Sequence, residues 1–255
     1  MEKSSKKNYS KKYCFSDFTE KNYRQLLKLA KKRFEFKSFH TKSKNPHIIL
    51  RHDVDISIHR SLKLAKIEAN LGIQSTYFLR LHSEYYNIFE KEIFQKIKEI
   101  IKLKHEIGLH FDVDFYSPIK SEKNLVSYLL KDKKILENLL LRKIKVFSYH
   151  NPDIDKILKF DNDHIAGMVN VYGKNIKKKY SYCSDSNGFW RFNSLKDIIS
   201  NEKINQVHVL LHPEWWQVNS LSPKQRIIRC IEGKAENNKL LYKKTLKKMG
   251  RKNIG

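Results

Sequence analysis

Two aspartates early in the chain have types and spacing that could form a reactive site. Asp53 and Asp55 lie in the segment 51–55 (RHDVD), directly after an apolar run. In an extended backbone, residues two apart point to the same side, so both carboxylates would face one site. Adjacent carboxylates repel each other, and a cation or a shared proton is therefore expected between them. The alternative is a turn that caps a helix beginning near residue 57, because aspartate is a favoured N-cap residue.

Other residues of suitable chemistry follow later strand-like runs. His110, His150, Asp185 and His212 each lie at or just beyond the end of a different run. The carboxyl ends of parallel strands meet at one edge of a sheet, where α/β proteins carry their active sites. Imidazole and carboxylate groups are also ligands of zinc. The sequence therefore predicts that these side chains gather with the two aspartates.

The segment 105–110 (HEIGLH) differs from the H-E-x-x-H zinc motif. That motif places two histidines four residues apart on one face of a helix. Here the spacing is five, and Gly108 disfavours a helix. We expect instead a strand that ends at His110 as a metal ligand, with Asp112 and Asp114 in the following loop.

Two histidines of the run 207–212 cannot share one ion. His208 and His212 are four residues apart, which is roughly 13 Å along a strand. His212 precedes Pro213 at the end of the run and is the candidate for the site. We expect His208 to be a core residue.

Two polar and aromatic loops could contact a substrate. One contains Trp190 and Arg191, and the other contains Trp215 and Trp216. Exposed tryptophans at a catalytic edge suit sugar rings, whose C–H faces stack on indoles. The same aromatic side chains could instead fill the core or the bottom of the pocket.

Strands and helices are predicted to alternate along most of the chain. The strand candidates are 47–52, 75–81, 106–110, 146–150, 164–171, 180–184 and 207–211. The helix candidates are 17–32, 57–71, 93–103, 125–141 and 222–248. This alternation predicts an α/β fold with a parallel sheet or a (β/α) barrel. We divide the chain into a basic extension with a short helix (1–45), the main domain (46–235) and a basic C-terminal helix or tail (236–255).

The composition limits the function classes. The formal net charge is +25, but the lysines are spread along the chain, whereas nucleic-acid readers gather basic residues and aromatics on one element. A weak preference for anionic partners, such as a nucleotide diphosphate or a phospholipid surface, fits this charge. The three cysteines form no C-x-x-C, and no secretory signal or membrane-length apolar run is visible, so we expect a cytoplasmic protein. Walker, G-x-G-x-x-G and G-x-S-x-G motifs are absent, which disfavours a nucleotide cofactor and a serine esterase.

The ordered set of motifs resembles the polysaccharide deacetylases of the NodB-like type, carbohydrate esterase family 4. The resemblance covers about residues 47–216 and rests on the segments 51–55 (RHDVD), 104–110 (KHEIGLH) and 210–212 (LLH). It is closest to stand-alone deacetylase-like proteins of surface-polysaccharide gene clusters, in which segments like 185–191 (DSNGFWR) and 211–216 (LHPEWW) recur. The resemblance implies a NodB-like (β/α) barrel, distorted and with fewer than eight strands.

The resemblance also implies roles for individual residues. Asp53 matches the general base, Asp55 and His110 match metal ligands, and His212 matches the late acid. Asp185 would orient His212. The ion is expected to be zinc, with nickel, cobalt or manganese as alternatives.

The chain departs from the family at the third ligand. The family's second metal histidine falls on Asp114, and its Arg-Pro motif is replaced by 150–152 (HNP). Asp114 fits the spacing, His150 fits the chemistry of an imidazole, and Asp112 is a third choice. One aspartate and one histidine alone would bind a divalent ion weakly, so a third ligand is required.

The implied reaction is hydrolysis of an N-acetyl group on an amino sugar. In the cytoplasm, including the inner face of the membrane, the substrate would be a nucleotide-linked or lipid-linked intermediate of surface-polysaccharide synthesis. Arg191, Trp190, Trp215 and Trp216 are candidate substrate contacts. The alternatives are a carbohydrate-binding protein that has lost catalysis, or another metal-dependent amidase on the same scaffold.

Overall fold

The protein alternates strands and helices around one sheet in the computed structural model, which describes residues 14–254. The strands are β1 (Glu35–Lys37), β2 (His47–Val54), β3 (Thr76–Arg80), β4 (Glu106–Asp112), β5 (Val146–His150), β6 (His164–Ile165), β7 (Met168–Asn170), β8 (Ser181–Ser184) and β9 (Gln206–Leu211). The helices are α1 (Glu20–Ala30), α2 (Ile58–Ala69), α3 (Lys91–Lys102), α4 (Val113–Tyr116), α5 (Glu122–Leu140), α6 (Lys174–Lys179), α7 (Leu195–Ser200) and α8 (Pro223–Lys248). Short 3-10 turns cover Phe15–Phe18, Ile154–Lys159, Ser186–Gly188 and Pro213–Trp215.

The sheet curls into a half-barrel with the order β6-β7-β5-β4-β3-β2-β9-β8, and β1 pairs beside β2. All neighbouring strands in it are parallel except β6 and β7. The predicted α/β fold with a distorted barrel is therefore confirmed, whereas the expectation of fewer than eight strands is wrong for this sheet. Counted across the sheet from β7 to β8, the described residues form seven neighbouring parallel strands. The antiparallel β6 and the short β1 bring the sheet to nine strands. Their carboxyl ends share one edge.

Strand β2 is buried along its whole length, as expected for a central parallel strand. Its side chains alternate between the two faces of the sheet. Ile48 and Leu50 pack outward in one apolar cluster with side chains of α1 and α2. Asp53 lies on the inner face and lines a cleft inside the half-barrel. The alternation inferred from the sequence thus places the site carboxylate inside the barrel.

The N-terminal helix packs on the main sheet. Thr19 caps α1 by accepting a hydrogen bond from the backbone N–H of Asn22, and Tyr23 and Leu27 are buried against the sheet. The predicted helix 17–32 is thus confirmed over 20–30, whereas the basic run 1–13 lies outside the described residues. The boundaries proposed at residues 45 and 235 stay predictions.

Two local predictions are wrong. The single strand expected over 164–171 is a hairpin of β6 and β7, because Ala166 and Gly167 both adopt positive φ and reverse the chain. The loop expected after His110 is also shorter. Asp112 is the last residue of β4, and its carboxylate caps α4 by accepting from the backbone N–H of Phe115.

No helix between residues 14 and 254 is both long and apolar enough to span a bilayer.

Candidate active site

A cleft of about 670 Å³ opens at the carboxyl edge of the strands. It brings together residues of β2, β4, β5, β8 and β9, which are distant in sequence. The predicted site residues that line it are Asp53, Asp55, His110, His150, Arg191, His212 and Trp215. The grouping inferred from strand ends alone therefore corresponds to one cavity.

Asp53 and Asp55 do not cap the helix that follows them. Ser57 is the N-cap of α2, where its hydroxyl accepts from the backbone N–H of Arg60. Asp53 sits in β2 and Asp55 lies one residue beyond its end, and both line the cleft. The structure therefore agrees with a shared site for the two carboxylates and not with a helix cap.

Asp55 lies at the centre of three imidazole rings. Its Oδ1 is 3.1 Å from Nε2 of His110 and 4.0 Å from Nε2 of His150, and its Oδ2 is 3.8 Å from Nε2 of His212. Burial alone would raise the pKa of Asp55, but His110, His212 and His150 hold it well below its usual value. The buried Oδ1 nevertheless lacks a partner with hydrogen-bond geometry. A negative oxygen atom thus faces two ring nitrogens without being satisfied by either.

The donor set of Asp55, His110 and His150 suits a divalent cation. Two ligands of a tetrahedral zinc, each about 2.0–2.1 Å from the ion, lie about 3.3 Å apart. The 3.1 Å and 4.0 Å separations around Asp55 Oδ1 bracket that value. Within residues 14–254, however, no group of three or more His, Cys, Asp or Glu side chains is arranged so that it could hold a metal ion.

His110 has a hydrogen-bond partner on its second ring nitrogen, as metal-binding histidines usually do. Its Nδ1 is 2.7 Å from the hydroxyl of Ser148, and this contact directs Nε2 toward Asp55. His150 Nδ1 is 3.5 Å from Oδ1 of Asp112 but makes no hydrogen bond with it. Nε of Arg80 donates to the other oxygen of that carboxylate at 2.6 Å.

The three choices for the third ligand differ in their positions. Asp114 is exposed on α4 and lies outside the cleft lining. Asp112 is buried and engaged by Arg80, behind His150. His150 lines the cleft itself. The family spacing that suggested Asp114 fails here because β4 ends at Asp112 and the chain turns into α4.

Asp53 is held by a buried arginine that the sequence analysis did not assign to the site. Arg51 donates from Nε to Oδ1 at 2.7 Å and from Nη2 to Oδ2 at 2.5 Å. Arg51 is fully buried, and Tyr172 accepts a further hydrogen bond from it. Burial acts to raise the pKa of Asp53, but the charges of Arg51 and His110 more than offset it and lower the pKa. The sequence contained a signal for this pair, because residues 51 and 53 are two apart in a strand and therefore lie on the same face.

His212 is fixed from behind by Asp185. Its Nδ1 is 2.7 Å from Oδ1 of that fully buried carboxylate, and its backbone N–H donates to the same group. Nε1 of Trp216 donates to Oδ2 at 2.9 Å. Burial alone would lower the pKa of His212, but the hydrogen bond and charge of Asp185, with the charge of Asp55, raise it to about 10. The predicted contact between Asp185 and His212 is present, with the ring positioned to hold a proton on Nε2.

The tryptophans separate into two groups. Trp215 lines the cleft, as does Arg191. Trp216 is fully buried, so its predicted contact with substrate is wrong: it packs at 4.9 Å from the ring of Tyr23 in the core. Trp190 is half-buried, packs at 5.3 Å from Phe18, and is not part of the cleft lining within 14–254. Two of the side chains that were expected to bind a sugar thus pack instead on Phe18 of the first 3-10 turn and on Tyr23 of α1.

Three tyrosines that line the cleft were not predicted from the sequence. Tyr149, Tyr172 and Tyr182 line its inner wall. They lie on or near β5, β7 and β8, and nothing in their local sequence distinguished them from core aromatics.

His208 is a core residue, as expected. It is buried on β9, its ring packs edge-on to Phe39 at 5.4 Å, and burial lowers its pKa to about 3. It therefore stays neutral inside the half-barrel.

No protein-family model matches the sequence, and no curated protein matches it. Solved structures do resemble the chain. They include a family 4 carbohydrate esterase from Bacillus anthracis, at 15% identity over 84% of this chain and 86% of that one, with a TM-score of 0.45. Another is the chitin deacetylase of the fungal pathogen Colletotrichum lindemuthianum, at 13% identity over 73% and 81% with a TM-score of 0.41.

A pseudoenzyme of the same family, also from Bacillus anthracis, is similar at 15% identity with a TM-score of 0.45. The match covers 77% of this chain and 63% of the pseudoenzyme. The chain thus spans less than two thirds of that protein's length.

Proposed function

We propose that the protein is a metal-dependent hydrolase that removes an acetyl group from an amino sugar. The observation that carries the proposal is the unsatisfied carboxylate oxygen of Asp55, which faces the Nε2 atoms of His110 and His150. Beside it stand a separate carboxylate, Asp53, and a separate imidazole, His212. An amide hydrolase needs these three elements: an electrophilic centre, a base and an acid.

Asp55, His110 and His150 would hold the ion. A bound divalent cation polarises an acyl carbonyl and lowers the pKa of a water molecule. His150 is preferred to Asp114 as the third ligand because it lines the cleft and its Nε2 lies 4.0 Å from Oδ1 of Asp55.

Asp53 and His212 would move the protons. With its pKa lowered by Arg51, Asp53 is ionised at neutral pH and can accept the proton of the attacking water. His212 carries a proton at neutral pH because Asp185 raises its pKa, and it can donate that proton to the leaving amine. Asp185 acts as a positioning residue, since it contacts only the far side of the ring.

The cleft walls would bind the sugar and its carrier. Tyr182 and Trp215, which are at least partly exposed in the cleft, would offer ring faces for the C–H groups of a pyranose. Arg191 is exposed at the rim, where it can pair with a phosphate group. These walls favour an acetamido sugar linked to a nucleotide diphosphate or to a lipid phosphate.

The central experiment measures acetate released by the purified protein from nucleotide-linked and from lipid-linked acetamido sugars. It is done after loading with zinc, nickel, cobalt or manganese, and the bound metal is quantified by elemental analysis. Asp55→Asn is expected to lose both stoichiometric metal and activity. A variant that retains both would overturn the assignment, and a wild-type protein that releases no acetate from either substrate would remove the proposed reaction.

A matched pair of variants tests the third ligand. His150→Ala is expected to weaken metal binding by about 10-fold or more. Losses of about this size occur when a residue that only hydrogen-bonds to a metal ligand is removed, so the loss of a ligand itself should be at least as large. Asp114→Asn, at the exposed alternative, is expected to retain the wild-type affinity. The opposite order of affinities would make Asp114 the ligand.

A binding protein without catalysis is the second candidate, and one observation favours it. Both carboxylate oxygens of Asp53 are engaged by Arg51, which leaves this base less free to accept a proton. Binding of an acetamido sugar by calorimetry, without acetate release at any metal loading, would select this function.

A further inference from the structure

The C-terminal helix α8 packs on the protein body only over its first half. Lys234 pairs with Glu90 and Asn237 donates to Glu92, both at the start of α3. From residue 238 to 254, every side-chain hydrogen bond and ion pair of the described residues is with a residue of 236–254. The second half of α8 therefore extends beyond the fold.

This free half is amphipathic and strongly basic. Residues 238–252 carry seven cations and no acid: Lys239, Lys243, Lys244, Lys247, Lys248, Arg251 and Lys252. At about 100° per residue, the five helical lysines occupy one side, with Leu240 among them. The other apolar residues, Leu241, Tyr242, Leu246 and Met249, occupy an arc of about 140° on the other side. Leu241, Tyr242 and Met249 are 51%, 56% and 58% exposed.

Exposed aromatic side chains also surround the active-site edge. Phe89, Phe115 and Phe192 are 63%, 57% and 65% exposed, and they lie in the segments that follow β3, β4 and β8. The carboxyl ends of these parallel strands form the edge at which the cleft opens. Phe89 also precedes Glu90, which pairs with Lys234, so this member of the aromatic rim is next in sequence to the residue that anchors the first half of α8.

We propose that the second half of α8, together with this aromatic rim, docks on an anionic phospholipid surface. A basic helix with an exposed apolar face binds at the boundary of lipid headgroups and acyl chains, and its lysines are attracted to anionic lipids. Docking would turn the cleft edge toward the bilayer.

The observations disfavour other occupants of this surface. A second copy of the helix would bring another seven cations against the first, and like charges repel. A nucleic acid would pair with the lysines through its phosphates but would leave Leu241 and Met249 exposed to water. An anionic bilayer can contact both faces of the helix, because its headgroups attract the lysines and its acyl chains bury the apolar residues.

Vesicle flotation with the full chain tests the proposal, using vesicles of phosphatidylglycerol and phosphatidylcholine and of phosphatidylcholine alone. Binding is expected only to the anionic vesicles. Each lysine near an anionic surface contributes about fivefold to the partition coefficient. A quadruple variant with Lys243, Lys244, Lys247 and Lys248 changed to Gln is therefore expected to bind about 100-fold more weakly or worse.

The matched control removes the same charge from α6, at the opposite edge of the sheet. Lys174, Lys177, Lys178 and Lys179 are all exposed, and changing them to Gln is expected to weaken binding less than about threefold, as screening limits charges far from the surface. Equal losses in the two quadruple variants would show that net charge alone drives the association and would overturn the proposal.

A second variant tests the apolar face without changing any charge. Leu241→Ser with Met249→Ser is expected to reduce binding to anionic vesicles by about tenfold or more, because two side chains leave the acyl region. Circular dichroism checks that the helix persists. Unchanged vesicle binding, or tighter binding of single-stranded RNA than of vesicles by the wild type, would overturn the proposal. No substrate is present in these assays, so their outcome is independent of deacetylation.

Discussion

Glu68→Gln is expected to destabilise the protein by about 3 kcal/mol at neutral pH. Glu68 lies on α2, fully buried behind the strand that carries the site aspartates. Its Oε1 is 2.8 Å from Nε2 of His52 and accepts hydrogen bonds from the hydroxyls of Tyr23 and Tyr77. Since His52 belongs to β2 and points away from the cleft, this carboxylate anchors the back of the strand whose front bears Asp53.

The magnitude follows from the pKa of Glu68. Burial alone would raise this pKa, but His52 and His105, with the hydroxyl of Ser75, lower it from 4.5 to about 2. A pKa difference of this size between the folded and unfolded chains contributes about 3 kcal/mol to the free energy of unfolding. Because the folded pKa is the lower one, the stabilisation is fully present above pH 4.5 and is lost as the pH falls toward 2. Less than about half of it remains at pH 3.

The assay is urea unfolding of the wild type and of Glu68→Gln between pH 7 and pH 3. The difference in free energy of unfolding should be largest at pH 7 and should shrink steadily below pH 4.5. Glu99→Gln is the control, because Glu99 forms only a half-exposed pair with Lys66, and such pairs contribute about 0–1 kcal/mol. A difference below about 1 kcal/mol at pH 7, or one that does not depend on pH, would refute the argument.

Three further predictions concern the site and its supports. His212→Ala is expected to lower the turnover number by about 100-fold or more while the bound metal is retained, as for loss of a general acid; unchanged turnover would remove this residue from the mechanism. Trp216→Phe removes the hydrogen bond to Asp185 and should cost about 1–3 kcal/mol by thermal unfolding, since it leaves a buried acceptor with one donor fewer. Gly108→Ala should destabilise by about 1–3 kcal/mol, because its Cβ would lie 2.5 Å from ring atoms of Phe78; a wild-type melting temperature would show that the ring can move aside.

The positions of the strands could be predicted because their apolar runs are bounded by polar residues. Once they are placed, the parallel order alone brings Asp55, His110 and His212 to one edge. The hairpin at Ala166 was missed because positive φ at a residue other than glycine leaves no clear trace in the sequence.

The side chains that were misassigned were decided by packing between distant segments. Trp216 has the type and the loop position of a sugar-binding residue. It is buried because α1, more than 180 residues earlier in the chain, places Tyr23 against it. A pattern confined to a few neighbouring residues contains no information about that contact. The same limit applies to Asp112, whose carboxylate is buried by Arg80 of the adjacent strand.

Arg51 connects the fold to the chemistry of the cleft. A buried guanidinium without a partner would cost several kcal/mol, so the barrel interior that contains Arg51 requires an ionised carboxylate beside it. Asp53 supplies that charge, and Arg51 in turn keeps Asp53 ionised. Asp55, one residue beyond the end of β2, has neither arginine nor lysine among its ion pairs within 14–254 and faces three imidazoles. The two aspartates thus differ in their surroundings, because Arg51 pairs with Asp53 and not with Asp55. This difference favours Asp55 as the ligand in the proposed mechanism.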